Sequence, residues 1–130
     1  PPRFEMAFLD RVHFLDREKG VAVGSRDLKA DEFWVRGHIP GRPILPGVLS
    51  VEAMAQLCTF YYKCAYPEDR RFFGFGGVDG VKFRGTVLPG DRLVVVCRAT
   101  DVRPRRAVFD AQGIVKGKLV VEASVTGMPV

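Results

Sequence analysis

Between Val48 and about Ala65, apolar side chains fall on nearly every side of a helix: Val48, Leu49, Val51, Ala53, Met54, Ala55, Leu57, Phe60 and Tyr61. A helix apolar all round is a buried helix, so the rest of the chain must supply its cover. Pro46-Gly47 suits its entry and Tyr66-Pro67-Glu68-Asp69 its exit. Ser50, Glu52, Gln56 and Thr59 interrupt the segment, so no apolar run reaches the ~18 residues of a membrane-spanning helix, and none is expected.

The cover is expected from strands. Phe8 to Asp16 and Val21 to Leu28 carry partial apolar/polar alternation around the turn Arg17-Glu18-Lys19-Gly20, the pattern of a hairpin. Asp31 to Arg36 reads as a helical turn or connector with an acidic start, followed by a proline- and glycine-dense loop, Gly37 to Gly47. After the helix, Phe72 to Val78, Gly80 to Leu88, Arg92 to Thr100, Ala107 to Val115 and Leu119 to Thr126 read as strands bounded by Gly, Pro or charged turns. Six or seven strands and one all-apolar helix are reconciled by an antiparallel sheet curled around the helix, an α+β arrangement. At 130 residues, residues 1–130 are expected to form one domain.

Composition narrows the function. Cys58, Cys64 and Cys97 are odd in number and lack CxxC spacing, which argues against a disulfide framework or a zinc site and suits a reducing cytoplasm. Cys58 is expected as a small core residue. The first ten residues, PPRFEMAFLD, lack the basic-then-apolar layout of a secretory signal. The net charge of +5 comes from basic residues spread along the chain, with one denser group at Arg103, Arg105 and Arg106. No basic stripe with interleaved aromatics is present, so nucleic acid is not an expected partner. The charge fits an acidic protein or an anionic ligand as well as it fits plain solubility.

The loop and helix entry read GHIPGRPILPGVLSVEAMAQ from Gly37 to Gln56. Glu52 lies past the first turn, where an acid gains most from the helix dipole. A carboxylate on a buried helix needs a partner or a raised pKa; it either reaches a surface or an arginine, or serves to pass a proton. His38 sits in a loop stiffened by Pro40, Pro43 and Pro46, suited to holding a catalytic base, although a surface imidazole bonded to backbone is the plainer alternative. Gly47 opens the helix, where an N–H can polarise a carbonyl oxygen or the glycine can simply ease a turn. His13 has only a structural reading.

The quoted stretch resembles the signature of the 3-hydroxyacyl-acyl-carrier-protein dehydratases of FabZ type, roughly GHFPGxPxMPGVLxxEAxAQ. It is similar on both sides too. Arg3-Phe4 through Phe8-Leu9-Asp10-Arg11-Val12 resembles the family's RYPFLLxDRV, while Val78 to Arg84 and Val87 to Leu93 resemble IDKVKFRRPVxPGDxL. The resemblance implies a hotdog fold, edge-to-edge homodimers, often a trimer of dimers (a hexamer), and a site at the dimer interface where His38 of one chain faces Glu52 of the other. It implies a hydro-lyase of fatty acid biosynthesis or a related acyl pathway. The substrate is a (3R)-3-hydroxyacyl thioester carried on phosphopantetheine of acyl carrier protein or coenzyme A. The product is the trans-2-enoyl thioester.

By the same resemblance His38 is the base, Glu52 assists loss of the 3-hydroxyl, and the Gly47 N–H stabilises the enolate oxygen. Ile39, Leu45, Pro46 and Phe83 line the acyl tunnel. No metal or redox cofactor is implied. Glu52, where related dehydratase-isomerases tend to carry Asp, favours dehydration without isomerisation. Ile39 and Leu45 replace the family's usual Phe and Met, and Pro2 and Phe4 its usual His and Tyr, changes expected to affect the substrate entrance and tunnel. Arg84, Arg103, Arg105 or Arg106 are candidates to dock an acidic carrier, or are solvated strand edges. The competing readings are a hotdog thioesterase and a non-catalytic, dehydratase-like acyl-binding subunit.

Overall fold

A computed structural model describes all residues 1–130. A short 3-10 turn, Phe4–Met6, precedes strands β1 (Arg11–Asp16) and β2 (Val21–Asp27). Helix α1 (Gly47–Ala65) follows, then β3 (Phe73–Phe83), β4 (Arg92–Arg103), β5 (Arg106–Val115) and β6 (Lys118–Pro129). The six strands form one antiparallel sheet in the order β1-β2-β4-β5-β6-β3. Tight turns join β4 to β5 and β5 to β6. The second is built on Lys116 and Gly117, both in the left-handed region, as the twist of a two-residue hairpin demands.

Alternate residues of each strand face the helix, following the period of two. Leu93, Val95 and Cys97 of β4, Ala107, Phe109 and Ala111 of β5, and Val121, Ala123 and Val125 of β6 are all buried. Against them α1 sets Ala53, Met54, Leu57, Cys58, Tyr61 and Tyr62. Tyr61 meets Phe109 edge-on at 5.4 Å between centroids, and Tyr62 stacks on Phe73 at 4.2 Å. Each such large side chain, fully buried, contributes about 1.5–3 kcal/mol. Burial also pushes the Cys58 thiol pKa well up, in keeping with an inert core cysteine. No helix is long and apolar enough to cross a membrane.

Two expectations change. The helix is not covered all round: Val48 is 71 % and Phe60 44 % exposed, because one sheet reaches only one side of a cylinder. The strands expected at Phe72 to Val78 and Gly80 to Leu88 are a single strand, β3, ending at Phe83. Gly80, at φ +59°, lies in an irregularity between Asp79 and Lys82 instead of a turn. Elsewhere in β3, Gly74 and Gly76 lie against Phe72, Met128 and Val130, and Gly77 faces open space.

Past the helix exit, Asp69 ties the chain down. Its carboxylate accepts from the Arg71 backbone N–H at 3.0 Å and from the Arg71 guanidinium at 2.7 and 3.1 Å, and the Tyr62 hydroxyl lies 3.1 Å away. The Arg71 bonds hold the Asp69 carboxyl well below the usual carboxylate range. A depressed folded pKa contributes stability that is present above the ordinary aspartate value and is lost as pH falls through the folded one. The difference in Tm between wild type and Asp69→Asn is therefore expected to be largest near neutrality and to narrow as pH is lowered from 6 to 3, measured by thermal melts. A constant difference would contradict the ion-pair origin.

Candidate active site

The loop that carries His38 is held by backbone hydrogen bonds within it and to its neighbours. The His38 N–H donates to the Trp34 carbonyl at 3.1 Å, the Arg42 N–H to the Ile39 carbonyl at 2.8 Å, and the Leu45 N–H to the Val87 carbonyl at 2.8 Å. The imidazole is exposed, and its Nδ1 lies 2.8 Å from the Ile44 carbonyl. A carbonyl only accepts, so Nδ1 carries the proton and the neutral ring keeps its lone pair on Nε2. The loop thus presents an oriented base.

Glu52 is half-buried on α1 and has found its partner: Oε2 accepts from Gln56 Nε2 at 2.8 Å. The two residues are four apart, hence neighbours on one helix face. Gln56 is itself held by backbone 48 residues away in sequence. Its Oε1 accepts the Phe8 N–H at 2.9 Å and its Nε2 also donates to the Met6 carbonyl at 2.6 Å. Because an N–H must meet the amide oxygen, this fixes the amide with its NH2 toward Glu52. Glu52 Oε1 has no hydrogen-bond partner within the chain.

Gln56 was not among the residues assigned a role from sequence. Two signals could have marked it: the i, i+4 spacing from Glu52, and its match to the last residue of the signature quoted above. The second contact, to Met6 and Phe8, depends on the N-terminal segment folding over the helix.

Gly47 is the first residue of α1, and no side chain caps this end. Leading N–H groups of a helix have no intrahelical acceptor, so they remain available to a ligand oxygen. The glycine also answers a steric demand, since a Cβ there would lie 2.5 Å from Cε1 of the Phe83 ring. Pro46, Gly47 and Phe83 are thus brought together at the helix start. Phe83 is 54 % and Ile39 36 % exposed, whereas Leu45 is packed into the core at 5 %.

No hydrogen bond or ion pair joins His38 to Glu52 within the chain. Among the basic residues, Arg84 is paired with Glu122 at 2.5 Å and Arg103 with Asp101 at 2.9 Å. Arg105 and Arg106 sit at the β4–β5 turn, where the Pro104 carbonyl meets the Tyr62 hydroxyl at 2.8 Å. Tyr62 lies about 22 Å along the helix from Gly47 at 1.5 Å per residue, so that turn is at the far end from the helix entry.

Residues 1–124 match the family model for the FabA-like domain. The chain is 35 % identical to the 3-hydroxyacyl-acyl-carrier-protein dehydratase FabZ of Teredinibacter turnerae, over 96 % of this chain and 87 % of that one. It is 36 % identical to the FabZ of Clostridium beijerinckii, over 96 % and 89 %. Among solved structures it is similar to the dehydratase heterocomplex ApeI:P of Xenorhabdus doucetiae, with a TM-score of 0.83, 14 % identity and coverage of 99 % and 86 %. The PaaI protein of E. coli, from the phenylacetic acid degradation operon, is similar at a TM-score of 0.70 and 14 % identity, covering 92 % and 78 %.

Proposed function

The chain belongs to the FabA-like family, with relatives that are 3-hydroxyacyl-acyl-carrier-protein dehydratases of FabZ type, and from that membership we propose that it dehydrates (3R)-3-hydroxyacyl thioesters to trans-2-enoyl thioesters, with His38 as base and Glu52 as the group that helps water leave. The observation that carries the assignment of roles is the His38–Ile44 contact at 2.8 Å, which leaves Nε2 free to act as a base. The acyl chain rides on the phosphopantetheine of acyl carrier protein or coenzyme A, and the setting is fatty acid biosynthesis in the cytoplasm.

His38 Nε2 takes a proton from the carbon beside the thioester carbonyl. The Gly47 N–H, with the helix dipole behind it, stabilises the charge that moves onto the carbonyl oxygen. As the enolate collapses, the C3–O bond breaks and a proton delivered through Glu52 Oε1 lets the hydroxyl depart as water. Gln56, bonded to Oε2, keeps Oε1 turned to that task. The steps use acid–base groups alone and need neither a metal nor a redox cofactor.

The working unit is a homodimer, able to assemble further as a trimer of dimers, in which His38 of one chain completes the site of its partner's Glu52. Two features support it. β3 is a long edge strand carrying exposed Phe75, Val78 and Phe83, an edge that a second copy would cover. The side of α1 that the sheet leaves open carries exposed Val48 and Phe60.

Incubating the protein with a 3-hydroxyacyl thioester tests the reading. Growth of enoyl-thioester absorbance without release of free thiol is expected. Thiol release without enoyl would instead mark a thioesterase, and neither product would mark a binding subunit.

A further inference from the structure

The supports of Glu52 and of His38 meet at one side chain, Arg26 on β2. One guanidinium nitrogen donates to the Ala7 carbonyl, which lies between the Met6 and Phe8 backbone groups that hold Gln56. The other donates to Glu32 Oε1 at 2.5 Å. Glu32 in turn organises the turn before the His38 loop: Oε1 also accepts Trp34 Nε1–H at 3.2 Å, and Oε2 accepts the Lys29 N–H at 2.7 Å. Trp34, buried at 3 % exposure, supplies the carbonyl that accepts the His38 N–H.

The pair is largely withdrawn from water, with side-chain exposures of 17 % for Arg26 and 8 % for Glu32. Arg26 lies 5.0 Å over the buried Phe8 ring, and its Nε is buried without an acceptor. Asp10 approaches the same guanidinium at 3.8 Å and is itself about a third exposed; even so, withdrawing the Arg26–Glu32 pair and stranding one donor is poor value as stability alone, since apolar groups of similar volume commonly do as well. What the pair achieves is connection. Two segments that approach from different directions are fastened to one planar fork whose geometry a lysine cannot reproduce.

We propose that Arg26, paired with Glu32, is a positioning residue for the dehydration: it fixes residues 6–8, and through Gln56 the Glu52 carboxyl, to the Lys29–Trp34 turn that anchors His38. The proposal rests on the reading that His38 and Glu52 carry the reaction. In a dimer with shared sites, one chain's clamp holds the acid of one site and the base of the other, so its loss impairs both.

The test compares wild type, Arg26→Met, Arg26→Lys and Glu32→Ala, together with the Arg26→Met/Glu32→Ala double variant, by steady-state kinetics on a 3-hydroxyacyl thioester and by amide exchange. Arg26→Met is expected to lower kcat about 10–50-fold while KM moves less than about threefold. Arg26→Lys should recover only part, and the double variant should be no slower than Arg26→Met, as for groups that act as a unit. The Phe8 and His38 amides should exchange faster while those of Met54 to Tyr62 stay protected. A folded Arg26→Met with kcat within twofold of wild type, or one whose helix amides lose protection equally, overturns the proposal. If Arg26→Met does not fold, Arg26→Lys and Glu32→Ala are judged by the same criteria. A wild type that forms no enoyl product would refute the functional reading, and the exchange pattern would still decide whether the clamp exists.

Discussion

Replacing His38 with Ala, or Glu52 with Gln, is expected to lower kcat by about 10²–10⁴-fold, the range that one positioned proton-transfer group supplies. The two losses have different physical origins. His38→Ala removes the only imidazole of the loop, whose Nε2 was freed for proton transfer by the Nδ1–Ile44 contact. Glu52→Gln keeps the shape and an oxygen that can accept from Gln56, but its Oε1 position can no longer carry and release a proton. Both side chains lie outside the core, so Tm should stay within a few degrees of wild type for each. Steady-state kinetics with thermal melts check this. A Glu52→Gln variant of near-normal kcat would remove the carboxyl from the chemistry and leave it as a structural partner of Gln56.

Gly47→Ala is expected to lower kcat/KM by ~10–100-fold with only a small change in the stability of the fold. The added Cβ would lie 2.5 Å from Phe83 Cε1 and 2.9 Å from Cδ1 and Cζ, closer than such atoms approach. Either the half-exposed ring swings outward, changing the proposed tunnel wall, or the helix start retreats and carries its N–H out of line. The ring is half-exposed and able to give way, so stability should change little while activity falls. Adding Phe83→Leu should return part of the lost activity, since a smaller side chain yields to the Cβ. If Gly47→Ala is fully active, the close approach has no bearing on the chemistry.

The helix was legible because apolar residues fall on nearly every side of the segment from Val48 to Tyr61 and a Pro-Gly entry precedes it, and α1 begins within a residue of the expected place. The hairpins were legible from alternation between turn residues. The open side of α1 was not, because an all-apolar helix does not say how much of its surface one sheet of the same chain can reach. β3 was misdivided because Asp79-Gly80 in sequence suits a turn and a strand irregularity alike, and only the pairing with β6 distinguishes them. At the site, His38, Gly47 and Glu52 stood out by residue type and spacing. Their supports did not. The Gln56 contacts join residues 48 and 50 apart, and Arg26 reaches 19 residues back to Ala7, links that only the folded chain creates.

The claim that one site needs two chains is tested most directly by mixing His38→Ala with Glu52→Gln under conditions of demonstrated subunit exchange. With random pairing, half of the dimers are mixed, and each mixed dimer holds one site built from an intact His38 and an intact Glu52. About a quarter of wild-type activity should therefore reappear from two inactive proteins, as a two-fold shared site requires. Activity that stays at the level of the separate variants after exchange would contradict a shared site and return His38 and Glu52 to a single chain.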